Sequence, residues 1–143
     1  MKISMACDHG AYEFKEEIKK YLEGKGFEVT DEGCYSTESC DYPDFARKAA
    51  EDVATGKCEK GMVFCTTGIG VSITANKVKG VRCALCHNED SAKMTRLHND
   101  SNMLAMGAKY IDIETAKKMA DIFLNTEFSG EERHQRRIDK IEA

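Results

Sequence analysis

The sequence predicts an α/β fold, a three-layer αβα sandwich around a five-stranded parallel sheet. Five short apolar runs alternate with stretches whose apolar residues recur at helical spacing, and parallel neighbours need a helical crossover between them. The third run, Gly61-Met62-Val63-Phe64-Cys65, is apolar almost without a break, as a strand covered on both faces should be. The chain of 143 residues has one domain's length, and no repeat, low-complexity tract or linker divides it. A single domain over 1–143 is therefore expected.

The elements follow in order. Lys2 to Cys7 reads as a first strand, closed by Asp8-His9-Gly10, after which Ala11, Phe14, Ile18, Tyr21 and Leu22 mark a helix. Gly24 and Gly26 stop it, because glycine accepts the left-handed geometry of a helix end. Phe27 to Thr30 forms the second strand, and turn residues fill Asp31 to Asp41. Pro43 opens the next helix, where its missing N–H is no loss, and Phe45, Ala46, Ala49 and Val53 give that helix its apolar face. The central strand then ends at Cys65, and Thr66-Thr67-Gly68-Ile69-Gly70 turns the chain into a helix reaching about Lys77. A fourth strand spans Val81 to Cys86 and a helix spans about Glu89 to Leu97, with His98-Asn99-Asp100-Ser101 breaking its period. A fifth strand lies around Asn102 to Met106. A helix marked by Ala116, Met119, Ala120, Phe123 and Leu124 comes next, then a short charged helix from Glu131 to Glu142.

Composition narrows the function classes. With 41% hydrophobic and 32% charged residues and one proline, the chain is neither collagen-like nor broadly disordered. Its 21 basic against 25 acidic residues give a net charge of −4, which disfavours nucleic acid or an anionic membrane as partner and makes any anion site local. The longest apolar runs cover about five residues against the roughly 20 that cross a bilayer, so no membrane span is expected. Seven cysteines, an odd number, and no signal-peptide pattern at Met1-Lys2-Ile3-Ser4 fit a reducing cytoplasm.

In parallel α/β sheets ligands bind outside the carboxyl ends of the strands. Cys65 to Ser72 joins a strand to a helix through two glycines, so that successive N–H groups can face one anion; the same glycines also serve a plain tight turn. The segment lacks a Walker ending and the three-glycine dinucleotide fingerprint, which disfavours nucleotides. Cys65 stands beside that helix N-terminus, a position that suits a basic or nucleophilic sulfur. Cys83-Ala84-Leu85-Cys86 spells a redox motif, but residues three apart on a strand point to opposite faces, so both read as core. No zinc-like spacing is present, and a metal site is not expected. Asp8-His9 and His98-Asn99-Asp100 supply carboxylate and imidazole groups that fall where strand ends should gather. Arg133, His134, Arg136 and Arg137 cluster in about one helical turn, with Arg133 and Arg137 four apart; they form either an anion handle or a solvated basic face.

Six separated segments, Cys7-Asp8-His9-Gly10, Asp41-Tyr42-Pro43, Cys65 to Ile73, Ala75-Asn76-Lys77, Arg96 to Asp100 and Arg133 to Arg137, together closely resemble the ribose-5-phosphate isomerase B family. The galactose-6-phosphate isomerase subunits are its relatives. The resemblance covers nearly the whole chain. It implies a Rossmann-like sandwich, a cofactor-free and metal-free isomerase of sugar phosphates, and a homodimer whose sites draw on both subunits, with a dimer of dimers left open. The C-terminal helix is then expected to reach the partner. By the same resemblance Cys65 is the base that moves a proton between C1 and C2 through a cis-enediolate, and His98 with Asp8 assists ring opening. Thr67 and the backbone of Gly68, Ile69, Gly70, Val71 and Ser72 hold the enediolate oxygen, while Asn99 and Tyr42 touch the sugar. His9, Arg133 and Arg137 hold the phosphate. One branch of the family uses a glutamate base where this chain has Val71, which leaves Cys65 in the role.

Two positions depart from the family. Thr66 replaces the usual glycine after the cysteine, and Lys109 stands where arginine is common, supplying charge to a phosphate without a bidentate fork. Both bear on substrate identity. Ribose 5-phosphate and ribulose 5-phosphate are the expected pair. A six-carbon substrate, allose or galactose 6-phosphate, is the alternative, and a catalytically silent sugar-phosphate binding module the contrasting class.

Overall fold

Five strands form one parallel sheet in the computed structural model, which describes residues Met1–Ala143. They are β1 (Lys2–Cys7), β2 (Glu28–Asp31), β3 (Lys60–Cys65), β4 (Cys83–Leu85) and β5 (Met103–Gly107), ordered β2-β1-β3-β5-β4. The helices are α1 (Tyr12–Gly24), α2 (Tyr42–Ala54), α3 (Ile69–Asn76), α4 (Glu89–Asn99), α5 (Ile113–Asn125) and α6 (Glu132–Glu142). The expected α/β sandwich and its five parallel strands are borne out.

Alternation along the strands divides the core into two layers. Ile3, Met5 and Cys7 of β1, Met62 and Phe64 of β3, and Leu104 and Met106 of β5 pack with Ile18 and Leu22 of α1, Ala92 of α4, and Met119 and Phe123 of α5. Ala6, Val63, Cys65, Met103 and Ala105 face the other way, onto Ala46, Ala49, Ala50 and Val53 of α2 and Val71 and Ala75 of α3. Phe64 is fully buried at the centre, where truncation to alanine costs about 3–5 kcal/mol. Cys83 and Cys86 fall in different layers, as the strand geometry requires, and burial pushes Cys83 up to about 12. All seven cysteines are unpaired, and no helix is long and apolar enough to cross a membrane.

Two elements differ from the sequence expectation. β4 spans three residues rather than six, because side-chain amides take the place of ladder partners: Arg82 N–H donates to Asn102 Oδ1 and Cys83 N–H to Asn76 Oδ1, each at 2.8 Å. α4 continues through His98 and Asn99. Its stop is Asp100, held in the left-handed region at φ 45° and bonded through Oδ1 to Arg96 Nη1 at 2.7 Å. Pro43 sits in the first turn of α2 as expected.

The chain leaves β1 for β2 on one side and then crosses to β3 on the other. The carboxyl ends of β1 and β3 therefore flank the point where the strand order reverses, and a crevice opens there.

Candidate active site

At that crevice Asp8 N–H donates to Phe64 O at 3.1 Å, which ties the end of β1 to β3. The Asp8 carboxylate caps the short 3₁₀ turn His9–Ala11, accepting the Ala11 N–H at 2.9 Å through Oδ1. His9 follows, and its Nδ1 accepts the Cys40 N–H at 3.2 Å. In the neutral ring that bond puts the proton on Nε2, leaving Nε2 free to donate to a ligand. Asp8, His9, Cys40 and Tyr42 line a cleft of about 610 Å³.

Cys65 ends β3 and is 5% exposed. Its Sγ accepts the Gly68 N–H at 3.0 Å. Gly68 adopts φ 77°, and a side chain there would press on the backbone of Met106 and Gly107 at 2.8 Å, so this turn depends on glycine. The first turn of α3 follows at once. Its leading N–H groups have no partner inside the helix, and the Thr67 hydroxyl beside them accepts the Ile69 N–H at 3.3 Å. The Tyr42 ring lies against Gly70, where any Cβ would overlap it. Ala108 and Lys109 N–H groups bond Cys65 O at 3.0 Å and Thr66 O at 2.9 Å, bringing exposed Lys109 to the same rim. The Thr66 hydroxyl stands over Gly10, 2.6 Å from where a Cβ would be, and closes the gap between the two strand-end loops.

The structure thus gathers Asp8, His9, Tyr42, Cys65, Thr67, the Gly68 to Ser72 turn and Lys109 at the carboxyl edge of the sheet. It does not bring His98, Asn99, Arg133 and Arg137 to them. The expectation that Asp8-His9 and His98-Asn99 gather at one set of strand ends is corrected. α4 runs back from the end of β4 to the start of β5, so its last turn lies at the amino edge. Arg82, immediately before β4, confirms this by donating from Nε to Asn99 O at 3.0 Å.

At the amino edge α6 packs on α4. The His98 and His134 rings stack with centroids 4.3 Å apart, and Ser129 Oγ donates to Leu97 O at 2.7 Å. Arg133 and Arg137 are exposed, and Arg133 comes within 3.5 Å of Glu131. Burial first, then His98 and Arg133, hold His134 below the ordinary imidazole range.

Sequence reasoning passed over two neighbours. Cys40, read as a loop residue, bonds His9 across 31 positions, a contact that no local spacing announces. His134 was visible only as a member of the basic cluster. Burial raises the Cys40 thiol, with its neighbour Cys34 adding to the effect. No three His, Cys, Asp or Glu side chains converge as a metal-ligand set.

The ribose/galactose isomerase family profile matches residues 3–141. Ribose-5-phosphate isomerase B of Escherichia coli is 42% identical over 142 residues, 99% of this chain and 95% of that protein. A ribose-5-phosphate isomerase B structure from Clostridium thermocellum superposes with a TM-score of 0.97 at 47% identity, covering 99% and 95% of the two chains. The galactose-6-phosphate isomerase subunit LacB of Clostridium acetobutylicum is 36% identical over 142 residues, 99% of this chain and 82% of that one.

Proposed function

The chain belongs to the ribose/galactose isomerase family and is a sugar phosphate isomerase, and on that premise we propose that it interconverts ribose 5-phosphate and ribulose 5-phosphate with Cys65 as the carbon base. The observation that carries this reading is the Cys65 sulfur, 3.0 Å from the Gly68 N–H at the mouth of the crevice. A group that takes a proton from carbon must sit beside donors for the oxyanion that forms, and these two requirements meet in one turn. The binding-module alternative gives way, since a binder needs no carbon base.

In the proposed reaction the furanose opens as His98 gives a proton to the ring oxygen and Asp8 takes the proton of the anomeric hydroxyl. Cys65 Sγ then removes the C2 proton, leaving a cis-enediolate. The Thr67 hydroxyl and, within the Gly68 to Ser72 turn, the unpartnered N–H groups of Gly70 and Val71 hold its O1 charge, while the Gly68 N–H stays on the Cys65 sulfur. A proton passes from O2 to O1, and Cys65 returns its proton to C1, giving the ketose. His9, Arg133 and Arg137 hold the phosphate with Lys109 adding charge at the rim, and Tyr42 and Asn99 touch the sugar.

Because His98, Asn99, Arg133 and Arg137 lie at the edge opposite Cys65, one chain alone cannot assemble this set. A homodimer supplies it, each site taking the carboxyl edge of one chain and the amino edge of the other. The exposed apolar side chains Ile69, Ile73 and Leu85 beside the Cys65 turn suit burial in such an interface. Seven unpaired thiols suit a reducing compartment, the cytoplasm.

The likeness to a galactose-6-phosphate isomerase subunit, with Thr66 and Lys109 departing from the family's usual glycine and arginine beside the site, favours a six-carbon phosphate as the second reading. Progress curves on ribose, allose and galactose phosphates, for the native chain and Cys65→Ala, separate the two. The highest kcat/KM is expected on ribose 5-phosphate, and a preference for either hexose phosphate overturns that assignment. Native turnover by Cys65→Ala overturns the mechanism.

A further inference from the structure

At the amino edge His134 lies nearly flat on His98, the ring planes 21° from parallel. His134 is 7% exposed, whereas His98 is open to solvent. Glu131 Oε2 comes within 3.0 Å of His134 Nε2 but out of line for a hydrogen bond, so that buried nitrogen has no partner. A buried polar atom left unpaired costs stability, about 1–3 kcal/mol as a rule, and its retention here asks for a reason.

We propose that His134 is a positioning residue for ring opening, its buried ring holding the His98 imidazole in the plane from which it reaches a sugar bound by a second copy of the chain. The inference rests on the reading of His98 as the acid-base group of that step. His98 occupies the last turn of a helix on an exposed edge, where a side chain otherwise samples several rotamers, and the stack removes that freedom. The charges around His134 suit the task. Glu131 at the start of α6, Arg133 and Arg137 on α6, and His98 from α4 are the titratable groups facing it. Burial first, then His98 and Arg133, lower the pKa of its ring and so disfavour a positive charge stacked on the His98 imidazole.

A partial reaction provides the test, because the equilibrium constant ties overall kcat/KM in the two directions together. Ribose 5-phosphate is a closed furanose in water, whereas ribulose 5-phosphate, with O5 esterified, stays open, and exchange of its C1 proton with solvent deuterium reports enediolate formation with no ring step. A residue acting through ring opening lowers interconversion and leaves this exchange, and a structural defect lowers both. His134→Ala is expected to lose about 10- to 100-fold in kcat/KM on ribose 5-phosphate and less than about 2-fold in the C1 exchange rate of ribulose 5-phosphate. His134→Phe, which keeps a planar ring, is expected to recover at least about half the native kcat/KM. Should His134→Ala not fold, His134→Gln, which loses the ring and stays polar, carries the same expectation. Equal losses of interconversion and exchange, or a His134→Phe chain as poor as the ringless variant, overturns the proposal. His98→Asn is run beside them. If it shows native kcat/KM on ribose 5-phosphate, the reading of His98 itself fails; if its interconversion is impaired while His134→Ala is native, only the role of His134 falls.

Discussion

Asp8 and His98 stand at opposite edges of one sheet. Asp8 follows the carboxyl end of β1, bonded to Phe64 O, and His98 precedes Asn99, whose carbonyl holds Arg82 at the amino end of β4. Strands of five or six residues at about 3.3 Å per residue put roughly 17–20 Å between such edges, more than any side chain spans. If both groups serve one reaction, two chains must meet with these edges facing, and a two-fold axis then builds two equal sites.

Complementation between inactive chains follows from this arrangement. Cys65→Ala and His98→Asn should each be nearly inactive alone on ribose 5-phosphate. Mixed by unfolding and refolding together, half of the dimers are hybrids with one intact site of two, so about a quarter of native activity should return. Activity no higher than the sum of the separate variants would count against shared sites.

The Cys65 sulfur should be the functional thiol. Cys65→Ala is expected to lower kcat by about 10²- to 10⁴-fold, the usual weight of a positioned proton-transfer group, with the melting temperature little changed. Alkylation should abolish activity at a rate that bound sugar phosphate slows. Cys40, half-exposed in the cleft beside His9, is the other thiol within reach, so peptide mapping must assign the label. Inactivation that tracks modification of Cys40 instead of Cys65 would move the chemistry elsewhere.

Arg137 and Arg133 share one exposed face of α6, where little in their own chain depends on them. Arg137→Ala should therefore leave stability within about 0.5 kcal/mol of native. It should also raise KM for the sugar phosphate and the inhibition constant of free phosphate by about tenfold or more, the loss of a charge-assisted bond. Unchanged phosphate inhibition would remove Arg137 from the handle.

The periodicity of the sequence specified most of the fold because the strands are buried on both faces and the helices on one. The unbroken apolar run to Cys65 and the Pro43 and Gly24 boundaries express that burial directly. The short β4 was not legible, since Asn76 and Asn102 replace ladder bonds through side-chain contacts distant in sequence. The Cys65 turn could be read locally, as glycines at a strand-to-helix junction. His98 was misplaced for a topological reason: in a parallel sheet every crossover helix carries its last turn back to the amino edge, and a motif read as a loop hides that direction. Contacts between His9 and Cys40 or His98 and His134 depend on tertiary packing and leave no mark on local spacing.

Lys15 gives the site a pH-dependent support. Fully buried on α1, it donates to Asp31 Oδ1 at 2.6 Å and to Cys34 O at 2.9 Å, anchoring the base of the loop that carries Cys40 to His9. Burial opposes the charge of Asp31, but the bonds from Lys15, Gly33 N–H and Lys19 outweigh it and hold the carboxyl below its ordinary value. With the folded value depressed, the stabilisation is complete above the unfolded carboxyl range, about 3.9, and fades as pH falls through the folded value. The native chain should therefore lose stability to urea below about pH 4, and Asp31→Asn, weaker at neutral pH, should show a shallower loss there. Lys15→Met leaves the Asp31 charge facing Lys19 alone at 3.2 Å and should cost about 3–5 kcal/mol. Because the loop also loses its anchor, KM for sugar phosphate should rise in the same variant. An unchanged urea midpoint for Lys15→Met would show that this buried pair does not hold the loop.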